Sequence, residues 1–217
     1  MKTSFSPKAY FALLVLILCA ATALAQELKP VPLPRPQTDI GRPLMQVLKD
    51  RSSSRAFSPE KLPAQVMSNL LWAAFGVNRP DSGKRTAPSA RNWQEIDVYV
   101  ATADGLFVYD AKAHQLNPIL REDVRAATGG QPFVKDAPVN LVYVADLAKT
   151  GSASADRDMF VAADAGFIAQ NVYLFCASEG LATVVRGGID RPAMSKVMGL
   201  RPDQKIILAQ TVGYLKK

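Results

Sequence analysis

The segment RSSSRAF, residues 51–57, places two permanent cations four positions apart with only small side chains between them. Like charges this close repel unless an anion or water separates them. If the segment leaves a preceding helix extended, Arg51, Ser53 and Arg55 point one way and Ser52 and Ser54 the other. Two guanidiniums and a hydroxyl then converge on one spot. Charge-assisted, often bidentate bonds to a phosphate are the chemistry such a cluster suits. The competing reading is a solvated basic helix end, favoured by the helix dipole.

Two further stretches carry candidate residues. RTAPSARN, residues 85–92, supplies Ser89 and Asn92 in a loop that follows Pro88. VVRGGID places Gly187 and Gly188 directly after a strand, where the missing side chains let the backbone approach a flat ligand. Other chemistries find little support. His114 is the single histidine, which argues against histidine metal sites and Ser-His-Asp triads. It falls in DAKAHQLNP, a polar turn, and is expected to be solvated. Cys176 is the one cysteine beyond position 25. It cannot form an internal disulfide, and its apolar setting, YLFCASEG, predicts a buried, inert thiol.

The elements that must position these residues follow from periodicity. PLMQVLKDR reads as a helix with Leu44, Val47 and Leu48 on one face. SPEKLPAQVMSNLLWAAFG reads as a second helix, starting at Ser58 or at Pro63 and ending at Gly76. Within it, Trp72 and Phe75 read as core. Residues 77–92 read as one long loop, and such loops are usually functional. DVYVAT and LFVYD, joined by ADG, predict a β-hairpin. REDVRAATGG reads as a short helix with a glycine stop. PVNLVYVAD predicts a strand buried on both faces. Residues 157–180 form the longest helical run, apolar nearly all round, suited to the centre of the fold or a subunit interface. LATVV, DRPAMSKVMG and KIILAQTVGY complete the pattern as strand, helix and strand. Mixed helices and antiparallel strands predict an α+β fold.

The ends and the charge bound the setting. Residues 1–25 read as a secretory signal, with Lys2 and Lys8 before the apolar run YFALLVLILCAATALA and small residues at Ala23 to Ala25. Residues 26–39, QELKPVPLPRPQTD, read as an extended proline-rich linker or a surface-hugging arm. Residues 40–217 then form one domain, expected to be exported to a bacterial periplasm and free of the membrane once the signal is cut. Without residues 1–25 the chain has 192 residues (217 minus 25), and 24 Lys+Arg (26 minus Lys2 and Lys8) against 19 Asp+Glu. That surplus of about +5 is scattered, which suits a small anion and argues against nucleic acid.

Taken together, RSSSRAF, RTAPSARN and VVRGGID resemble the nitroreductase family of FMN flavoproteins, over about residues 40–217. The combination LLWAAFGVNR…RTAPSARN is most similar to the branch that includes the thiazole/oxazole-forming dehydrogenases. The resemblance implies a central, mostly antiparallel sheet flanked by helices, an intertwined homodimer and FMN as cofactor. It implies that Arg51, Ser53 and Arg55, with Ser52 beside them, bind the FMN phosphate and ribityl chain. Pro88, Ser89 and Asn92 would form the loop from which Asn92 bonds the isoalloxazine. Gly187 and Gly188 would present a backbone N–H to flavin N5. The family's late phosphate-binding cation falls on Lys216, although the chain ends at GYLKK, short of the usual extension. The implied activity is hydride transfer through N5 to a small acceptor, with NAD(P)H or another reductant as donor. No side chain acts as nucleophile and no metal is needed. Arg55, with Lys84 or Arg85, would place positive charge at the pyrimidine edge. Trp93 would flank the substrate or pack at an interface. The alternative is an exported, non-catalytic binding module that retains the fold.

Overall fold

The computed structural model describes residues 28–151 and 155–216; the expected signal, residues 1–25, lies outside the described residues. Its central strand, β7 (Val139–Asp146), is buried along its whole length, as expected. Val139, Leu141, Tyr143 and Ala145 face one core, and Val142 and Val144 face the other. This is the period-two alternation of a strand with both faces covered.

Six more strands pair around it: β1 (Val31–Pro32), β4 (Ile96–Thr102), β5 (Gly105–Asp110), β6 (Gln115–Leu120), β8 (Leu181–Arg186) and β9 (Gln204–Tyr214). The order is β1-β6-β5-β4-β7-β9-β8, and every pairing is antiparallel. Helices α2 (Ala64–Phe75) and α3 (Ala155–Glu179) pack on one face through Leu70, Leu71, Phe75, Ile168 and Val172. Helix α4 (Arg191–Met198) covers the other through Met194 and Met198. This is the expected α+β architecture. The ADG turn forms the expected hairpin between β4 and β5. There Gly105 takes φ +139°, and a Cβ would lie 2.2 Å from the Leu120 carbonyl oxygen.

Several local expectations change. The second helix starts after Pro63, not at Ser58, because residues 54–58 are used as sheet edge. Ser54 N–H donates to the Thr183 carbonyl, Ser58 N–H donates to Tyr214, and Phe57 bridges Leu215. Helix α1 (Leu44–Asp50) buries only Val47; Leu44 and Leu48 are exposed. The 77–92 segment is not all loop. It contains a small hairpin of β2 (Val77–Arg79) and β3 (Lys84–Arg85), then a 3-10 turn over Ala90–Asn92. The short helix expected at 121–130 is a 3-10 turn over Arg125–Thr128. Strand β6 carries no clear pattern; its Pro118 sits beside a register shift, a place where a strand tolerates a missing donor.

The proline-rich stretch is a docked arm. β1 pairs with β6, Gln37 N–H donates to Asn69, and Gln65 donates to the Arg35 carbonyl. His114 is part of this docking, contrary to its expected solvation. Its Nδ1 lies 2.9 Å from the Tyr109 hydroxyl, and its Nε2 lies 2.7 Å from Ser68 Oγ and 3.0 Å from the Pro34 carbonyl. Desolvation holds its pKa below the ordinary imidazole value, with the Pro34 bond opposing. Ser68 is fully buried and also reaches Pro34 O, so this serine–histidine contact is a staple for the arm.

Candidate functional site

RSSSRAF begins where α1 stops. Arg51 N–H still bonds the Val47 carbonyl, but its backbone turns extended (φ −55°, ψ 120°). Two of the segment's residues reach one aromatic of α3. The Ser53 hydroxyl meets Tyr173 Oη of α3 at 2.8 Å, and the Arg51 guanidinium lies over the Tyr173 ring, 5.2 Å from its centroid. Tyr173 Oη also accepts from Val185 N–H at 3.0 Å, so it links the segment to β8. Ser52 and Ser54 lie beside the same tyrosine. They line a crevice of about 210 Å³ with Gly180, Thr183 and Leu215. Arg55 is exposed and does not join Arg51 at Tyr173. Instead the chain terminus comes to it: Lys216 N–H donates to the Ala56 carbonyl, beside Arg55. None of the ion pairs among the described residues uses Arg51, Arg55 or Lys216.

The Pro88–Asn92 loop is built differently. Thr86 ties its start to α2 through the Gly76 and Trp72 carbonyls. Ser89 Oγ accepts from Gln94 N–H, and Asn92 Oδ1 accepts from Gln94 Nε2. Arg91, Asn92 and Gln94 all take left-handed φ, at +52°, +56° and +48°. Each such residue costs roughly 1–2 kcal/mol, so the surroundings must hold them. Ala90 N–H donates to Asp164 of α3 at 2.8 Å, and Trp93 packs edge-on against Phe160. Arg85, expected as loop surface or as a cation at the pyrimidine edge, is a brace. Its guanidinium lies over the Phe75 ring and bonds Gln94 Oε1 and the Phe75 carbonyl. Burial pushes its pKa down, against the pull of Tyr109 and nearby aspartates.

Gly187 and Gly188 follow the last residue of β8. A Cβ on Gly187 would meet nothing within 4 Å, so crowding is not what a glycine relieves there. A bare backbone instead leaves the peptide open to an approaching ligand. Beneath it, Arg186 is buried and bonded to neutral acceptors: Thr211 Oγ1, the Thr128 carbonyl and Asn140 Oδ1. Desolvation lowers its pKa to about 10.

No described hydrogen bond joins the three stretches directly. They meet through α3, which holds RSSSRAF by Tyr173 and the loop by Asp164. Those anchors are nine positions apart (173 minus 164), roughly 13.5 Å along the axis. Sequence reasoning named neither residue. The readable signal was a carboxylate and a phenol in the middle of a mostly apolar run. Cys176 is buried as expected, and burial raises its pKa.

An antiparallel sheet layered between a long central helix and α4, with a basic N-terminal segment clasped to the last strand, defines a class. A family model described as the nitroreductase family matches residues 48–214, and the chain belongs to that family. A nitroreductase-family protein of Methanocaldococcus jannaschii is 34% identical over 155 residues, 66% of this chain and 78% of that protein. A crystal structure of a nitroreductase-family protein from Ralstonia eutropha JMP134 is 42% identical, with TM-score 0.81, covering 88% of this chain and 97% of the other. A nitroreductase-family protein from Desulfovibrio desulfuricans, solved in complex with FMN, shares the fold at 21% identity and TM-score 0.60, over 81% of this chain and 88% of that one.

Proposed function

We propose that the chain is an FMN-dependent oxidoreductase of nitroreductase type. The observation that carries this reading is that Arg51 and Arg55 have no carboxylate partner among the described residues, and that the Lys216 backbone, bonded to Ala56, brings a third unpaired cation to the same segment. Cations on one segment without counter-ions suit an external phosphate. The site fits FMN in a second respect: the space a Cβ would take at Gly187 is open.

In this reading Arg51, Arg55 and Lys216 hold the phosphate, with Ser52 and Ser53 along the ribityl chain. Pro88 and Ser89 shape the loop that presents Asn92 to the isoalloxazine, and the Gly187–Gly188 peptides face N5. FMN, when bound, supplies the redox centre, taking hydride from a donor and passing electrons to a small acceptor. The donor is NAD(P)H or another reductant, and export would favour the latter. Exposed Leu44, Met45 and Leu48 on α1, with Met159 and Phe167 on α3, support a homodimer.

The test is a visible spectrum of the mature protein before and after FMN addition and gel filtration. We expect a retained flavin band that dithionite bleaches. A protein that stays colourless would replace this reading with a non-catalytic binding module on the same fold.

A further inference from the structure

Glu95 follows the three left-handed residues of the loop and directly precedes β4. It is 0% exposed, and neither carboxyl oxygen has a hydrogen-bond partner of good geometry among the described residues; its own backbone N–H is the one donor that acts on it. A fully buried carboxylate without well-formed hydrogen bonds is very costly. Its neighbour across the helix–sheet interface is Asp164, 3% exposed, the same residue whose Oδ2 takes Ala90 N–H. Two ionised carboxylates offer each other only acceptors. One proton between them turns the contact into a hydrogen bond and removes one charge.

We propose that Glu95 and Asp164 share one proton, and that this protonated pair is a positioning device which fastens the Ala90–Gln94 loop to α3. The pair grips both ends of the strained turn: Asp164 holds Ala90, and Glu95 is the residue directly after Gln94. Burial first, and the Asp164 charge after it, push the Glu95 carboxyl up to about 7, against a hydrogen bond from Glu95's own backbone N–H. Burial also raises Asp164. The other charges here are few. Lys149 opposes the rise, but its ammonium is bonded to Asp97 at 2.7 Å. Asp146 reaches Glu95 only through its backbone N–H and turns its carboxylate to Arg201 and Ala148.

The sign follows from linkage. A carboxyl whose folded pKa lies above its ordinary 4.5 keeps its proton better in the folded chain. Its contribution is complete below about 4.5 and is lost as pH rises through about 7. Above that, two buried carboxylates repel and the loop loosens. The effect on cofactor affinity rests on the flavin reading above; the clamp itself does not.

The test uses the full mature chain in a Trp72→Phe background, which leaves Trp93 as the fluorophore on the loop. Without cofactor, Trp93 emission should titrate with a midpoint near 7. Glu95→Gln, permanently neutral, should abolish that titration. Asp164→Asn, which still accepts from Ala90 and can donate to an ionised Glu95, should move the midpoint down; it decides the matter if Glu95→Gln does not fold. FMN affinity should then fall about tenfold between pH 6 and 8.5 relative to Glu95→Gln, a common size for coupling. The second ionisation of the phosphate affects both proteins equally. A flat Trp93 signal in the parent from pH 5.5 to 9, a titration that persists in Glu95→Gln, or an unmoved midpoint in Asp164→Asn overturns the proposal. A titration lost in Glu95→Gln, with no FMN binding at any pH, supports the clamp and overturns the flavin reading instead.

Discussion

The two polar stretches tied to α3 are held in opposite ways. Residues 51–55 are extended, carry unpaired cations and touch α3 through one tyrosine. Residues 88–95 are folded against their backbone preferences and closed by two buried carboxyls. The first stretch spends little stability on its shape and leaves its charge for a ligand. The second concentrates its cost in conformation, which a ligand need not supply. A segment of the first kind should lose binding when mutated and keep its fold; one of the second kind should lose both.

The sharpest division comes from Arg51→Ala. Removing a charge-assisted bond to a phosphate costs about 1.5–3 kcal/mol, or about ten- to hundredfold in FMN Kd. Because Arg51 otherwise only overlies the Tyr173 ring, unfolding of the cofactor-free protein should change by no more than about 0.5–1 kcal/mol. Equal FMN affinity in variant and parent would remove Arg51 from the phosphate site. A collapse of the apo fold would place it with the second kind of segment.

Tyr173→Phe should come next in size. It removes the hydroxyl that receives Val185 N–H and meets Ser53, yet keeps the ring under Arg51. Leaving a part-buried donor unsatisfied costs about 1–3 kcal/mol, so thermal unfolding should fall by several degrees for a domain of this size. FMN affinity should weaken less than in Arg51→Ala, because the cations remain. The reverse ranking in a flavin titration would make the tyrosine, not the arginine, the main determinant of the clamp.

How far these stretches could be read in advance follows from the same contrast. Side-chain type and spacing exposed Arg51, Ser53 and Arg55, because a charge cluster is visible without its partners. The Pro88–Asn92 loop was visible as punctuation, but its left-handed turn was not, since Arg91 and Gln94 are not residues that prefer that region. Glu95 and Asp164 lie 69 positions apart (164 minus 95) and become a pair only when α3 packs on β4. Strands with alternation or a continuous apolar run, β4, β5, β7, β8 and β9, were legible. β1 and β6 were not, because Pro32 and Pro118 disguise them and each is defined by its neighbour in the sheet. The surplus of the first stretch is intrinsic; the cost of the second is a property of packing.

The smallest effect tests that last statement most directly. Arg91 sits at φ +52°, ψ +18°, exposed and stacked over Trp93 at 5.7 Å. Arg91→Ala and Arg91→Gly both lose the stacking, so their difference isolates the backbone. Glycine avoids the roughly 1–2 kcal/mol left-handed penalty but gives up about 0.4–1 kcal/mol of unfolded-state restriction. Arg91→Gly should therefore be the more stable of the two, by about 0.5–1 kcal/mol. Ser52, exposed and without a left-handed φ, should show the usual order, with Ser52→Ala above Ser52→Gly by about 0.4–1 kcal/mol. Four chemical denaturation curves on the cofactor-free protein decide it. A reversal at position 91 but not at 52 places the strain in the loop; the same order at both would mean the turn relaxes in solution and the buried carboxyls have nothing to hold.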